Sequence, residues 1–212
     1  MYKKVEELDN IPLDTGVVRF NDVLPDPYLY TYYNDLRNRT LYLDEEIKRE
    51  TLIPLTKMIL AWNNEDKELP VKERKPIKIL IYSYGGEVDA TLHFIDVCLM
   101  SKTPIWTFNM GVAMSGGFYI LLAGHRRFAV KNSQSLIHQG AGSFDGSAEE
   151  IKTHTTQYNK LLKTLADYTL ERTKIPKPLF DKKKKSEWFI NGIEQVELGV
   201  VDEIITDIDI FN

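Results

Sequence analysis

At 212 residues and 43% hydrophobic, the chain holds enough apolar side chain for one compact domain with a sizeable core and needs no second. Its net charge of -4, with 27% charged residues, excludes the strongly basic balance of a nucleic-acid binder. The lone cysteine, Cys98, excludes a disulfide framework and reads as a buried thiol in a reducing compartment. With no hydrophobic signal segment at the start and no run of membrane-spanning length, the expected location is cytoplasmic, without membrane contact.

Residues 1–34 are rich in Pro, Asp, Asn and Tyr without a period and read as an N-terminal arm, with a single domain over 35–212. Thr40-Leu-Tyr-Leu is a short strand, and Glu45 to Asn63 carries Ile47, Leu52, Ile53, Leu55, Met58, Ile59 and Trp62 at amphipathic-helix spacing. A charged loop, 64–76, precedes the buried strand Ile77 to Tyr82. Then come Ser-Tyr-Gly-Gly and a helix from about Glu87 to Met100. Thr103 to Asn109 is a strand, Gly111-Val-Ala-Met-Ser-Gly-Gly a turn, and Gly117 to Ala123 a helix stopped at Gly124. Strand, glycine turn and helix in repetition predict an α/β fold of parallel crossover βαβ units.

Arg127 to Val130 and Ser135 to His138 are two further strands. Gln139 to Ser147 is too glycine-rich for an interior strand and reads as a loop or an extended segment with an open edge, to which a peptide can pair. Ser147 and Glu150 form a capping box that opens a long helix to about Thr173, and Ile175-Pro-Lys-Pro ends it. Lys182 to Lys185 is a solvated basic loop, Trp188-Phe-Ile a strand, and Gly192 to Leu198 a short helix.

Ser115 stands in a run of small residues between an apolar strand and an apolar helix. Unpaired amides at a helix N-terminus favour negative charge there, and small neighbours admit a substrate backbone. In isolation such a serine is more often a helix N-cap. Of four histidines, His138 ends a strand before a glycine-rich turn, whereas His93 and His154 lie in helices and His125 in a basic turn. His138 is therefore the candidate general base.

At Ser-Tyr-Gly-Gly-Glu-Val (83–88), Gly-Val-Ala-Met-Ser-Gly-Gly (111–117) and Leu-Ile-His-Gln (136–139), the chain resembles the caseinolytic protease P (ClpP) family of self-compartmentalising serine peptidases. The interval from Gly86 to Ser115 aligns with that family without a gap, and the resemblance runs from about Leu41 to Ile205. It implies a ClpP/crotonase-like spiral of βαβ units with a protruding handle helix over about 147–173. It implies Ser115 as nucleophile, His138 as base, and the backbone NH groups of Gly86 and Gly116 as oxyanion donors. Gly140, Ala141, Gly142 and Ser143 correspond to the substrate-binding strand. The family's acid is an aspartate; here Glu187 takes its place, ahead of Asp181, which would need a shift of six residues. The implied activity is ATP-independent hydrolysis of unfolded proteins or peptides through an acyl-enzyme, without cofactor or metal. The implied assembly is a homo-oligomer of stacked heptameric rings.

Several positions depart from the family pattern. Tyr82 and Tyr84 replace its Asn and Pro, Gly116 replaces Met, and Ser186 stands where an arginine links assembly to the active site. Lys78 and Leu80 replace tyrosines of the groove that receives an unfoldase, which leaves partnership with an AAA+ ATPase open; divergent, phage-borne members fall within the same resemblance. Two alternatives stand beside the peptidase: a crotonase-fold acyl-CoA enzyme, and an assembly subunit with a degenerate site.

Overall fold

The computed structural model describes residues 27–211. The arm expected over residues 1–34 lies outside the described residues as far as 26; its remainder belongs to helix α1 (Pro27–Arg37), a unit considered by itself. From Arg39 onward the chain builds one α/β unit on a mainly parallel sheet.

Strands β1 (Thr40–Leu43), β2 (Ile77–Ser83), β3 (Ile105–Met114) and β4 (Arg126–Val130) lie side by side in that order, all parallel. Between them run helices α2 (Arg49–Glu65), α3 (Val88–Met100) and α4 (Gly116–Leu122), as parallel neighbours require a crossover. Helix α2 forms because Leu52, Thr56, Ile59 and Trp62 recur on one face and are buried there. Every residue of α4 is buried, which explains why its sequence is apolar all round.

β3 is longer than the sequence pattern suggests. It continues through Gly111 to Met114, so the first four residues of the run expected as a turn are strand, and the change of direction is confined to Ser115 before Gly116 opens α4. The first half of β3 pairs with β4 (Trp106↔Arg126 to Asn109↔Ala129), and the second half pairs with β5 (Gln134–Ile137; Val112↔Gln134 to Met114↔Leu136). The sheet therefore forks. A fork breaks the ladder, and buried backbone groups left unpaired there would each cost about 1–3 kcal/mol. Asn109 meets this need: its Nδ2 donates to the Gln134 carbonyl at 3.0 Å and its Oδ1 accepts from the Gly111 amide at 3.1 Å. Gln195, fully buried on α7 (Glu194–Glu197), ties Asn109, Ser135 and Ser133 together from behind.

β6 (Trp188–Asn191) pairs antiparallel with β5, and β7 (Glu203–Ile205) closes the other branch on β4. The long helix α5 (Ala148–Arg172) starts at the expected capping box, with Ser147 and Glu150 bonded reciprocally. Its C-terminal part is anchored by buried Leu165 and Thr169 and by Arg172, whose guanidinium donates to the Leu122 and Gly124 carbonyls at the end of α4. Residues 148–157 of α5 are all exposed. The basic run expected as a loop begins inside a short helix, α6 (Lys177–Lys183), pinned by buried Phe180.

In a buried cluster on the sheet, Phe108 and Phe128 stack at 4.8 Å, and Phe211 of the terminal 3-10 turn Ile208–Phe211 adds a ring 5.0 Å from Phe108. Such pairs contribute about 1 kcal/mol each beyond area burial. Buried Lys78 donates from Nζ to the Phe211 carbonyl, and burial pushes its pKa down.

The first strand is approached through a partly buried ion pair: Arg39 donates two bonds to buried Asp66, which also accepts from Thr103 at 2.9 Å. The Arg39 bonds, aided by Thr103, outweigh burial and hold the Asp66 carboxyl below the usual carboxylate range. A depressed carboxylate stabilises the fold above its unfolded pKa, and that contribution drains away as pH falls through its folded value. Asp66→Ala removes both Arg39 bonds and the Thr103 bond, leaving the half-buried guanidinium only the Lys75 carbonyl and Glu65, and is expected to cost about 1–3 kcal/mol at pH 7. Urea midpoints of wild type and variant should converge as the pH is lowered below the carboxylate range; a constant gap would contradict the assignment.

Candidate active site

Ser115 sits at the junction of β3 and α4 with φ 51° and ψ -118°, one of two non-glycine residues at positive φ among those described. Such a conformation costs about 1–3 kcal/mol and persists only where the surroundings enforce it. Here they do. The Ser115 amide donates to the Leu136 carbonyl of β5 at 3.0 Å, and its carbonyl accepts from Tyr119 at 3.2 Å. The hydroxyl makes no cap bond to α4, so although Ser115 occupies the N-cap position, its side chain does not act as a cap.

That hydroxyl instead lies 2.9 Å from His138 Nε2. His138 follows the last residue of β5, and β5 is the strand that binds the Ser115 amide, so one strand sets both partners. Both residues are half-buried, leaving the pair reachable. With Nδ1 carrying the ring proton, Nε2 accepts from Oγ, the state in which a histidine removes a serine proton. The other three histidines have local partners. His93 faces Thr56, His125 Nδ1 accepts from the Ile105 amide, and His154 stacks on Phe144. Burial, reinforced by Arg172, pushes the His125 pKa down.

The two glycine turns interlock around Ser115. A Cβ on Gly85 would stand 2.7 Å from Ser115 Cβ and 2.9 Å from Gly116 N, and Gly85 has φ +104°. A Cβ on Gly116 would stand 2.6 Å from Thr91 Oγ1 and 3.5 Å from Gly86 N. Ile47 bridges the first turn: its amide donates to the Gly85 carbonyl and its carbonyl accepts from Glu87, both at 2.8 Å. That pattern skips the Gly86 amide, and Gly116 is the first residue of α4, where no intrahelical acceptor exists. Neither NH has an acceptor among the described residues, so two free donors lie close to the hydroxyl. Donors held this way can stabilise an oxyanion.

Glu187, the expected acid, makes no such contact. The register Leu136↔Phe189, Ile137↔Trp188 continued by one residue sets Glu187 opposite His138, and directly opposed residues project to the same face. Glu187 is exposed and makes no hydrogen bond or ion pair among the described residues. Asp181 is occupied elsewhere: Lys177 and Lys184 of its own segment bind it and hold its carboxyl down to about 2.

Gly140 to Ser143 carry neither helix nor strand, and no backbone group from Gln139 to Gly146 pairs with another backbone group among the described residues. The open-edge alternative is thus available to this segment without being a formed strand. No cluster of three metal-ligating side chains occurs among the described residues, and none of the described helices is long and apolar enough to cross a membrane. Sequence reasoning missed the Asn109–Gln195 network that sets the fork, because nothing local links residues so far apart.

A family model described as Clp protease matches residues 26–207. The chain is 27% identical over 176 residues to an ATP-dependent Clp protease proteolytic subunit of Deinococcus radiodurans, covering 82% of this chain and 83% of that protein. It is 30% identical over 171 residues to the ATP-dependent Clp protease proteolytic subunit 2 of Treponema denticola, covering 80% and 82% respectively.

Proposed function

The chain belongs to the Clp protease family, and from that premise we propose that it is a serine endopeptidase acting on unfolded polypeptides. The observation that carries the reading is the 2.9 Å contact of Ser115 Oγ with His138 Nε2, made by a serine held at positive φ and not used as a cap. Ser115 Oγ attacks the scissile carbonyl while His138 Nε2 takes its proton. The Gly86 and Gly116 amides receive the negative charge that develops on the carbonyl oxygen. His138 then returns the proton to the departing amine, leaving an acyl-enzyme. Water, deprotonated by His138, hydrolyses it and releases Ser115.

Glu187 orients His138 through Nδ1 once substrate is bound. The register supports this, and the pairing of Asp181 with two lysines disfavours the fallback. Glu187→Gln is expected to lower kcat about a hundredfold. This falls short of the ~10⁴-fold of a buried triad aspartate, because an exposed carboxylate is partly screened. Asp181→Asn should leave kcat unchanged; the reverse ranking would transfer the role to Asp181.

The Gly140–Ser143 segment receives the peptide by strand addition, which holds substrate through its backbone and tolerates many side chains. The relatives are named as subunits of a protease, and the exposed N-terminal part of α5, with exposed Leu99 and Met100 on α3, suits a chambered homo-oligomer of stacked rings. Short peptides enter such a chamber without ATP. The test combines native mass measurement with cleavage of a fluorogenic peptide. Rings that cleave the peptide support the proposal. Binding of an acyl-CoA without peptide cleavage would contradict it, and intact rings without cleavage would leave an assembly subunit.

A further inference from the structure

The residue after His138 begins a segment whose course decides where a peptide lies relative to Ser115. Gly140 is two residues, at most about 7 Å of chain, from the base. Between Gln139 and Gly146 no backbone group bonds to another backbone group among the described residues, so the sheet does not hold that course. What holds it comes from α5. Tyr158 Oη donates to the Ala141 carbonyl at 2.8 Å, and Phe144 lies edge-on to the Tyr158 ring at 5.7 Å while stacking on His154.

The glycines fit this contact. A Cβ on Gly140 would stand 2.6 Å from Tyr158 Oη and 3.0 Å from Leu162 Cδ2; one on Gly142 would stand 3.3 Å from Tyr158 Cε1. Gly140 is therefore small because a phenol hydroxyl lies against it, a reason separate from access for substrate. Burial pushes the Tyr158 phenol up in pKa, so it remains a donor at neutral pH. In an extended chain, successive residues turn their polar backbone groups to opposite edges. With the Ala141 carbonyl committed to the helix, the groups of Gly140 and Gly142 are left for the other side.

We infer that Tyr158 is a positioning residue for substrate: through Ala141 it fixes the distance and register of an added peptide strand relative to Ser115. The inference rests on the peptidase reading above. Tyr158 touches no reacting atom, so it acts on binding and leaves the chemistry of the Ser115–His138 pair alone.

The test is Tyr158→Phe in the full chain, which keeps the ring packing and removes only the hydroxyl. For a fluorogenic peptide long enough to span the segment, KM should rise about fivefold, the scale of one neutral hydrogen bond, with kcat and the rate of Ser115 labelling by a small fluorophosphonate unchanged. Gly140→Ala should give the same KM defect by displacing the phenol, and the double variant should be no worse than either single one, as residues sharing one contact do not add. An unchanged KM would overturn the inference. So would a parallel fall of kcat, labelling and thermal stability, which would mark Tyr158 as a support of the fold. A wild-type chain that the fluorophosphonate fails to label would instead overturn the peptidase reading, separately identified by that control.

Discussion

Ser115→Ala is expected to lower kcat for a fluorogenic peptide by on the order of 10⁴-fold or more, with unchanged ring assembly and thermal stability. The magnitude follows from the role proposed for Ser115. In that role, without Oγ no acyl-enzyme would form, and what would survive is the slower attack of water assisted by the proposed oxyanion donors. The unchanged stability follows from the contacts. Alanine keeps the Cβ that packs against Gly85, keeps the amide bonded to Leu136 and sacrifices no cap bond; the one bond lost, to His138, leaves a half-buried ring that water can reach. His138→Ala should be as severe, and the double variant no worse than either, because nucleophile and base act as one unit. Cleavage that survives Ser115→Ala within tenfold of wild type would remove the serine from the chemistry.

The second large effect is expected in the first glycine turn. Gly86→Ala would drive a Cβ to 2.1 Å from the Ile47 carbonyl oxygen, a backbone atom that cannot step aside without breaking the Ile47 bridge. Gly85→Ala would meet Ser115 Cβ at 2.7 Å and impose a side chain on a φ of +104°. Either change rotates or displaces the Gly86 amide. Loss of one oxyanion donor typically costs about 10² to 10³ in kcat, and strain at such positions adds about 1–3 kcal/mol of destabilisation. The two consequences separate experimentally: peptide kcat and fluorophosphonate labelling report the oxyanion site, and the urea midpoint reports strain. Gly86→Ala that remains stable and retains full kcat would show that its amide receives no charge.

The close-packed turns around Ser115 were legible in the sequence where their requirements are local and steric. Gly85, Gly86, Gly116 and Gly117 announce themselves because each faces another atom where a Cβ would stand, Ser83 in the case of Gly117. His138 follows from its place at a strand end. The extent of β3 was not readable, since Gly111 and Ala113 have the composition of a turn; they continue as strand because β5 pairs alongside and Tyr82 fills the space over Gly111. Helix α6 was hidden by its lysines, whose charges say nothing about Phe180 buried beneath them. The polar fork of Asn109, Ser135 and Gln195 was invisible for a different reason: three uncharged polar residues become a unit only when the fold brings them together. Glu187 lies between these cases, one residue before the paired part of β6 and exposed.

One contact, that of Ser115 Oγ with His138 Nε2, carries the proposed mechanism. The most direct measurement is mass spectrometry of the fluorophosphonate-treated chain, followed by peptide mapping. The prediction is a single adduct on Ser115, formed in wild type and absent from His138→Ala. No adduct, an adduct on a different serine, or equal labelling of Ser115 in the absence of His138 would contradict it.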